Sequence, residues 1–148
     1  MTRISIKIQG ADKLLKLQKR VRERAEKAHN QAAARASYYL RNELQEYIKK
    51  SQPAGRVYKR YRPQRVVIAS APGQPPAIDL GSFIESINVK TSGFGHYSVG
   101  TDDPRGKWFE VGTPQMLPRP WFTPVLAAQR ANLSKIIREE IDRVMRGE

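Results

Sequence analysis

Cysteine is absent and histidine occurs only twice, which excludes disulfides, thiol catalysis and every zinc site built on thiolates. The two histidines, His29 and His96, have no acidic or thiol neighbour at ligand spacing and are expected on a helix surface and a strand surface. No apolar run approaches the roughly 20 residues that span a bilayer and no cleavable leader is recognisable, so synthesis in the cytosol and no membrane partner are expected. Neither a nucleophile motif nor a nucleotide fingerprint is present: Gly93-Phe94-Gly95 is not followed by the helix such a fingerprint needs. Asp102 and Asp103 could hold a divalent cation with Glu110, but a turn ahead of Pro104 explains the pair better. No enzyme activity, cofactor or metal is therefore expected. A chain of 148 residues implies about one domain with one moderate core, expected over residues 1–148.

Acidic residues are scarce where basic ones are dense. Against 27 Lys and Arg stand 14 Asp and Glu, a net charge of +13. Residues 1–50 carry +8 and residues 51–70 carry +5 with no acidic group, whereas residues 71–107 carry −1 and residues 108–148 carry +1. All the excess lies in the first 70 residues, which favours a polyanion, DNA or RNA, or an acidic protein neighbour.

The hydrophobic pattern changes period along the chain. Arg3 to Gln9 alternates Ile4, Ile6 and Ile8 with polar residues, a half-buried strand. Gly10-Ala11-Asp12 is a turn offering Asp12 as an N-cap. Beyond it Leu14, Leu17, Val21, Ala25, Ala28, Ala32, Ala36, Leu40, Leu44 and Ile48 recur at three- and four-residue steps, predicting a helix to about Lys50. Unbroken, it spans roughly 55 to 60 Å, more than a small domain needs, so it either bends near His29-Asn30 or projects towards a neighbour. Its alanine-rich middle suits either a shallow core contact or close approach of another subunit.

Residues 51–65 break the helix with Pro53, Gly55 and Pro63 and interleave Arg56, Lys59, Arg60, Arg62 and Arg65 with Tyr58 and Tyr61. Guanidinium groups pair bidentately with phosphate, and tyrosine rings stack or donate hydrogen bonds. This basic arm therefore reads as DNA-facing, with a subunit arm or a solvated loop as alternatives. Val66 to Ala69 reads as a short buried strand. Ser70 to Asp79 is a proline- and glycine-rich turn, after which Asp79 could cap a short helix through Phe83, Ile84 and Ile87. Ile87 to Thr91 and Tyr97 to Thr101 form two strands around Ser92 to Gly95. Gly112 can end a helical turn in a left-handed conformation, with Trp108 and Phe109 anchoring that turn to the sheet, and Glu110 can bind backbone amides or a basic residue across an interface. Gln115 to Trp121 crosses the fold with prolines fixing its direction. Thr123 as N-cap and Pro124 at the first helical position then start a last helix, buried through Leu126, Leu133, Ile137, Ile141 and Val144. The expected fold is α+β: a small, mostly antiparallel sheet from residues 3–9, 66–70, 87–92 and 97–101, packed against a long N-terminal helix and a C-terminal helix, with an extended basic loop.

Taken in order, Gly73-Gln74-Pro75-Pro76, then Trp108-Phe109-Glu110-Val111-Gly112-Thr113, then Met116-Leu117-Pro118-Arg119-Pro120-Trp121-Phe122-Thr123-Pro124 resemble the head-tail joining, or tail-completion, family of long-tailed bacteriophages. There a Gly-Glu-Pro-Pro-like turn precedes a strand hairpin, then Glu-Phe-Gly-Thr, then Met-x-Pro-x-Pro-Phe before a final helix. Gly81, Ser86 and Ile87 match the family's Thr-Gly-x-Leu and Ser-Ile stretch, whereas Leu80 and Phe83 replace its threonine and leucine, and Arg105-Gly106 stands where Tyr-Ala is usual. The resemblance covers residues 71–125. It implies a structural virion protein assembled in the bacterial cytoplasm, whose copies form a ring, a hexamer or dodecamer, in the neck. There the ring joins the DNA-filled head to the tail and contacts neighbouring connector and tail proteins and the passing double-stranded DNA. A tail terminator or head-closure ring, and a free-standing non-specific nucleic-acid-binding module, are the alternatives.

Overall fold

The structure, a computed structural model, describes residues 10–147; the strand expected at residues 3–9 lies outside them. In chain order the elements are α1 (Ala11–Lys50), β1 (Val57–Tyr61), β2 (Gln64–Ile68), α2 (Ser82–Glu85), β3 (Ile87–Gly93), β4 (His96–Thr101), α3 (Arg105–Val111) and α4 (Thr123–Arg146). The chain is α+β, with both long helices where the periodicity puts them. The described strands form two antiparallel hairpins, β1–β2 and β3–β4, in place of one sheet.

No glycine or proline interrupts residues 11–50, and α1 runs unbroken through His29-Asn30. Gly10, left-handed at φ 93°, is its N-cap, and Asp12 sits inside the first turn instead. Extended Ser51 ends the helix two residues ahead of Pro53. Burial begins at Ala28 and continues through Ala32, Ala36, Leu40, Leu44 and Ile48, while residues 11–27 are exposed throughout. Of the two expectations for this helix, bending or projecting, projection is observed: its first 17 residues stand clear over about 25 Å.

The buried half of α1 carries the rest of the fold. Leu40, Leu44 and Ile48 meet Phe83, Ile84, Ile87, Trp121 and Val125 in one core, edged by Tyr47, Val99, Phe109, Phe122 and Leu133. Phe83 is its pivot, edge-on to both Phe109 (5.0 Å between centroids) and Trp121 (5.2 Å). The β3–β4 hairpin turns through Phe94-Gly95, with Gly93 opposite His96, and its tip docks on α1. Asn30 Oδ1 accepts from the Gly95 amide (2.9 Å) and the Tyr97 hydroxyl (3.1 Å). Gly95 sits at φ 74°, the left-handed region that favours glycine, and a Cβ there would displace the exposed His29 ring 2.4 Å away.

Helix α4 runs antiparallel along α1: Gln129 bonds Tyr39 and Glu43 near its start, and Glu140 meets Arg35 near its end. Its buried positions are Val125, Glu140 and Val144. Leu126, Ile137 and Ile141, expected inside, are more than one-third exposed. The register turns because a carboxylate takes a core-facing position: Glu140, 3% exposed, is held by Arg35 (2.7 Å) and Arg143. Those two guanidinium groups hold its carboxyl below the usual range despite burial.

Candidate functional site

The basic arm folds as a hairpin. Pairs Val57↔Ile68, Lys59↔Val66 and Tyr61↔Gln64 put one set of side chains on one face, and Tyr58↔Val67 and Arg60↔Arg65 put the other set on the opposite face. The first face is exposed and mainly apolar, with Tyr61 79%, Val66 64%, Val57 59% and Ile68 44% exposed. The second turns Arg65 and Val67 partly inward. Val66 to Ala69 is thus no buried strand: β2 alternates between open and half-covered positions because only one side of the ribbon meets protein.

The seven residues read from sequence as one basic surface are divided by this geometry. Arg56, Tyr58 and Arg60 share the inward-leaning face, Lys59 and Tyr61 lie on the apolar one, and Arg62 sits in the turn. Arg65 is engaged elsewhere, donating from Nε to Asp79 Oδ1 (2.6 Å) and from Nη2 to Oδ2 (2.8 Å). The expected cap role of Asp79 is replaced by this pair, and Gly81, left-handed at φ 82°, precedes α2 instead. Arg65 holds the Asp79 carboxyl below its ordinary range, with Arg60 adding charge. Gln74 fixes the base of the arm: its Oε1 accepts from the Ala54 and Ala71 amides and its Nε2 donates to the Gln52 carbonyl.

The residues that carry the family resemblance are joined to one another. The Gly73 amide, at a positive-φ turn, donates to the Pro118 carbonyl (2.9 Å), and Pro75 and Pro76 are buried behind it. Ser86 Oγ donates to the Phe83 carbonyl and shares a hydrogen bond with Thr101 Oγ1 (2.6 Å each), linking the end of α2 to β4 beside fully buried Ile87. Gly112 ends α3 at φ 80°, ψ −178°. This differs from the left-handed helical conformation expected, yet it is equally glycine's own territory, and a Cβ would lie 2.8 Å from the Met116 carbonyl oxygen. Thr113 and Met116 then exchange backbone hydrogen bonds across a tight turn (2.8 and 3.1 Å).

Glu110 closes the unit. Its Oε2 accepts from the Trp121 and Phe122 amides and its Oε1 from the Thr123 amide, all at 2.9 Å. The N-cap of α4 is Phe122, which has no side-chain oxygen, and Thr123 and Pro124 lie inside the first turn; Glu110 therefore supplies the acceptor that Thr123 was expected to supply. Burial raises the Glu110 pKa, but the hydrogen bonds from the Thr123 side chain and the three amides outweigh it and hold the carboxyl low. Pro120 leads into Trp121, 4% exposed, whose Nε1 donates to the Gly106 carbonyl (2.9 Å). Trp108, expected to anchor this turn with Phe109, is instead 50% exposed, and only Phe109 packs on the core.

No protein family, curated protein or solved structure matches the chain. Function has to be read from the arrangement itself. The motif residues form a corner in which side chains bond backbone, Glu110 and Trp121 above all. Asp102 pairs with Lys90 (2.5 Å) and Asp103 with Arg105 (2.5 Å), consistent with the turn reading. Among the described residues no three His, Asp or Glu side chains are grouped to hold a metal ion, and no helix is long and apolar enough to cross a membrane.

Proposed function

We propose that the chain is a structural protein of the neck of a long-tailed phage, whose copies close into a ring that joins head to tail and lets DNA pass. The observation that carries this reading is the placement of apolar surface. The β1–β2 ribbon holds Val57, Tyr61, Val66 and Ile68 in solvent, outside the core, as an element does when its packing partner is another subunit. Convergence of the Gly73, Glu110 and Met116–Pro124 motifs on one corner supports the resemblance as a structural unit. A ring of heterologous contacts joins two different patches of each copy, and an apolar ribbon face standing outside the core can supply one of them. In this reading the apolar face of the ribbon packs on the next copy, while the exposed side chains of Arg56 and Arg60 on the inward-leaning face and of Arg62 in the turn remain to meet phosphate.

The charged side of this reading has a direct test. The variant with Arg56, Lys59, Arg60 and Arg62 replaced by glutamine leaves Arg65 in place on Asp79 and touches only exposed positions, so the fold should be kept. Its affinity for a 30-base-pair duplex should fall, and the slope of log K against log salt should flatten by about 0.9 for each phosphate no longer neutralised. An unchanged affinity and slope would assign the whole ribbon to subunit packing.

A further inference from the structure

An apolar groove of about 260 Å³ runs between β4 and α4, with Ala36 and Leu40 of α1 on its floor, Tyr97 and Val99 on one wall and Leu133 and Ile137 on the other. One wall is also an open strand edge. Among the described strands β4 pairs with β3 alone. Arg41 and Gln45 of α1 donate to the Ile87 carbonyl at the start of β3, whereas Tyr39 and Glu43 on the other flank bond Gln129 of α4. β3 and α4 therefore lie over opposite flanks of α1, and the unpaired edge of β4 is turned towards α4. Main-chain donors and acceptors along one side and apolar side chains beneath are what an added strand with one apolar face requires.

We propose that residues 3–9 of a second copy lie along this edge of β4, with Ile4, Ile6 and Ile8 in the groove. These residues lie outside the described ones, but their sequence alternates the three isoleucines with Ser5, Lys7 and Gln9, the pattern of a strand with one apolar face. Length rules out the groove of their own chain. Ile4 stands six residues before Gly10, a reach of at most about 22 Å. Asn30, on which the hairpin tip docks, and Ala36 follow Gly10 along unbroken helix by roughly 30 and 39 Å. The β1–β2 ribbon fits the groove less well, because Lys59 lies between Val57 and Tyr61 on its apolar face and no carboxylate lines the groove to meet that cation. The exposed first 17 residues of α1 become the span that carries the segment about 25 Å clear of its own body. The contact joins two different surfaces of the chain and stands whether or not the assembly is a phage neck.

The full chain contains no cysteine, so single cysteines report the contact directly. Chains carrying I4C, I6C or I8C are each mixed with the I137C chain under mild oxidation. At least one mixture should form the mixed disulfide, which needs Cα atoms within about 7 Å, at least tenfold faster than the same chain does with S98C, an exposed position on the opposite face of β4. In sedimentation equilibrium, I4S/I6S/I8S and I137R should each weaken self-association at least tenfold. Mixing these two variants should restore a one-to-one dimer, because the first keeps the groove and the second keeps the segment; that dimer also shows that I137R, at a position 38% exposed, is folded. Cross-linking no faster than with S98C overturns the proposal, as does a disulfide closed within one chain by I6C/I137C. Preferential joining of I137C to V66C overturns it by seating the ribbon in the groove. Self-association unchanged in I4S/I6S/I8S overturns it as well, since the copies would then meet through other surfaces.

Discussion

Replacing Glu110 with alanine should destabilise the protein by about 3 kcal/mol, a large share of the roughly 5–15 kcal/mol that holds a domain together. Three backbone amides at the start of α4 lose their acceptor at once, and Phe122 has no side-chain oxygen to offer in its place. A missing cap costs about 0.5–2 kcal/mol and a hydrogen bond to a charged acceptor contributes about 1.5–3. The terms overlap, and water reaches the exposed Thr123 end, so the total stays well short of their sum. Denaturant titration should show the midpoint falling with little change in slope. Glu110→Gln keeps one carbonyl acceptor and should lose about half as much.

The two variants also differ in acid. The folded-state pKa of Glu110 is held low, so its contribution is complete above the unfolded value of about 4.3 and disappears as pH falls through the lower folded value. Glutamine at this position should therefore narrow the gap to wild type as the solution is acidified below about pH 4. Glu140, held low by Arg143 and Arg35, loses its contribution in the same direction, so wild type and E110Q should both still weaken in acid, the wild type more steeply.

Trp121→Ala should have an effect of similar or greater size, about 3–5 kcal/mol. The indole is 4% exposed, stands edge-on to Phe83 and Phe122, and donates to the Gly106 carbonyl. Alanine removes the ring packing, opens a cavity between α2, α3 and α4, and strands that carbonyl. Trp121→Phe keeps a ring against Phe83 and should lose about 1–2 kcal/mol, mainly through the unpaired acceptor. Trp108→Ala, at a half-exposed position, should stay within about 1 kcal/mol. Thermal melts of the three variants rank the two tryptophans: equal losses at Trp108 and Trp121 would contradict the placement of the core.

Local patterns carry much of the fold. The unbroken 40 residues of α1 follow from a three- and four-residue apolar step with no glycine or proline. The β3–β4 hairpin follows from alternation on either side of Phe94-Gly95. Pairings made at a distance are less visible. Arg65 reads as one more cation in a basic run until the chain brings Asp79 beside it. Glu110 reads as an acid with an open choice of partner, because its donors lie 11 to 13 residues away across a proline-guided crossing. No local signal reveals the role, because Thr123-Pro124 reads as a complete helix start of its own and the cap falls on Phe122 only in the folded chain. The α4 register escapes periodicity for a general reason, since periodicity ranks apolar residues as buried and gives no credit to a glutamate made tolerable inside by two arginines. The ribbon escapes it because a run such as Val66-Val67-Ile68 is apolar whether it faces its own core or a neighbour's.

Electron microscopy of particles from a phage carrying an early stop codon in this gene tests the neck assignment most directly. The expected result is DNA-filled heads beside separate, finished tails, restored to whole virions when the protein is supplied. Tails of irregular length would move the chain to tail termination. Normal infectious virions would contradict the neck assignment outright.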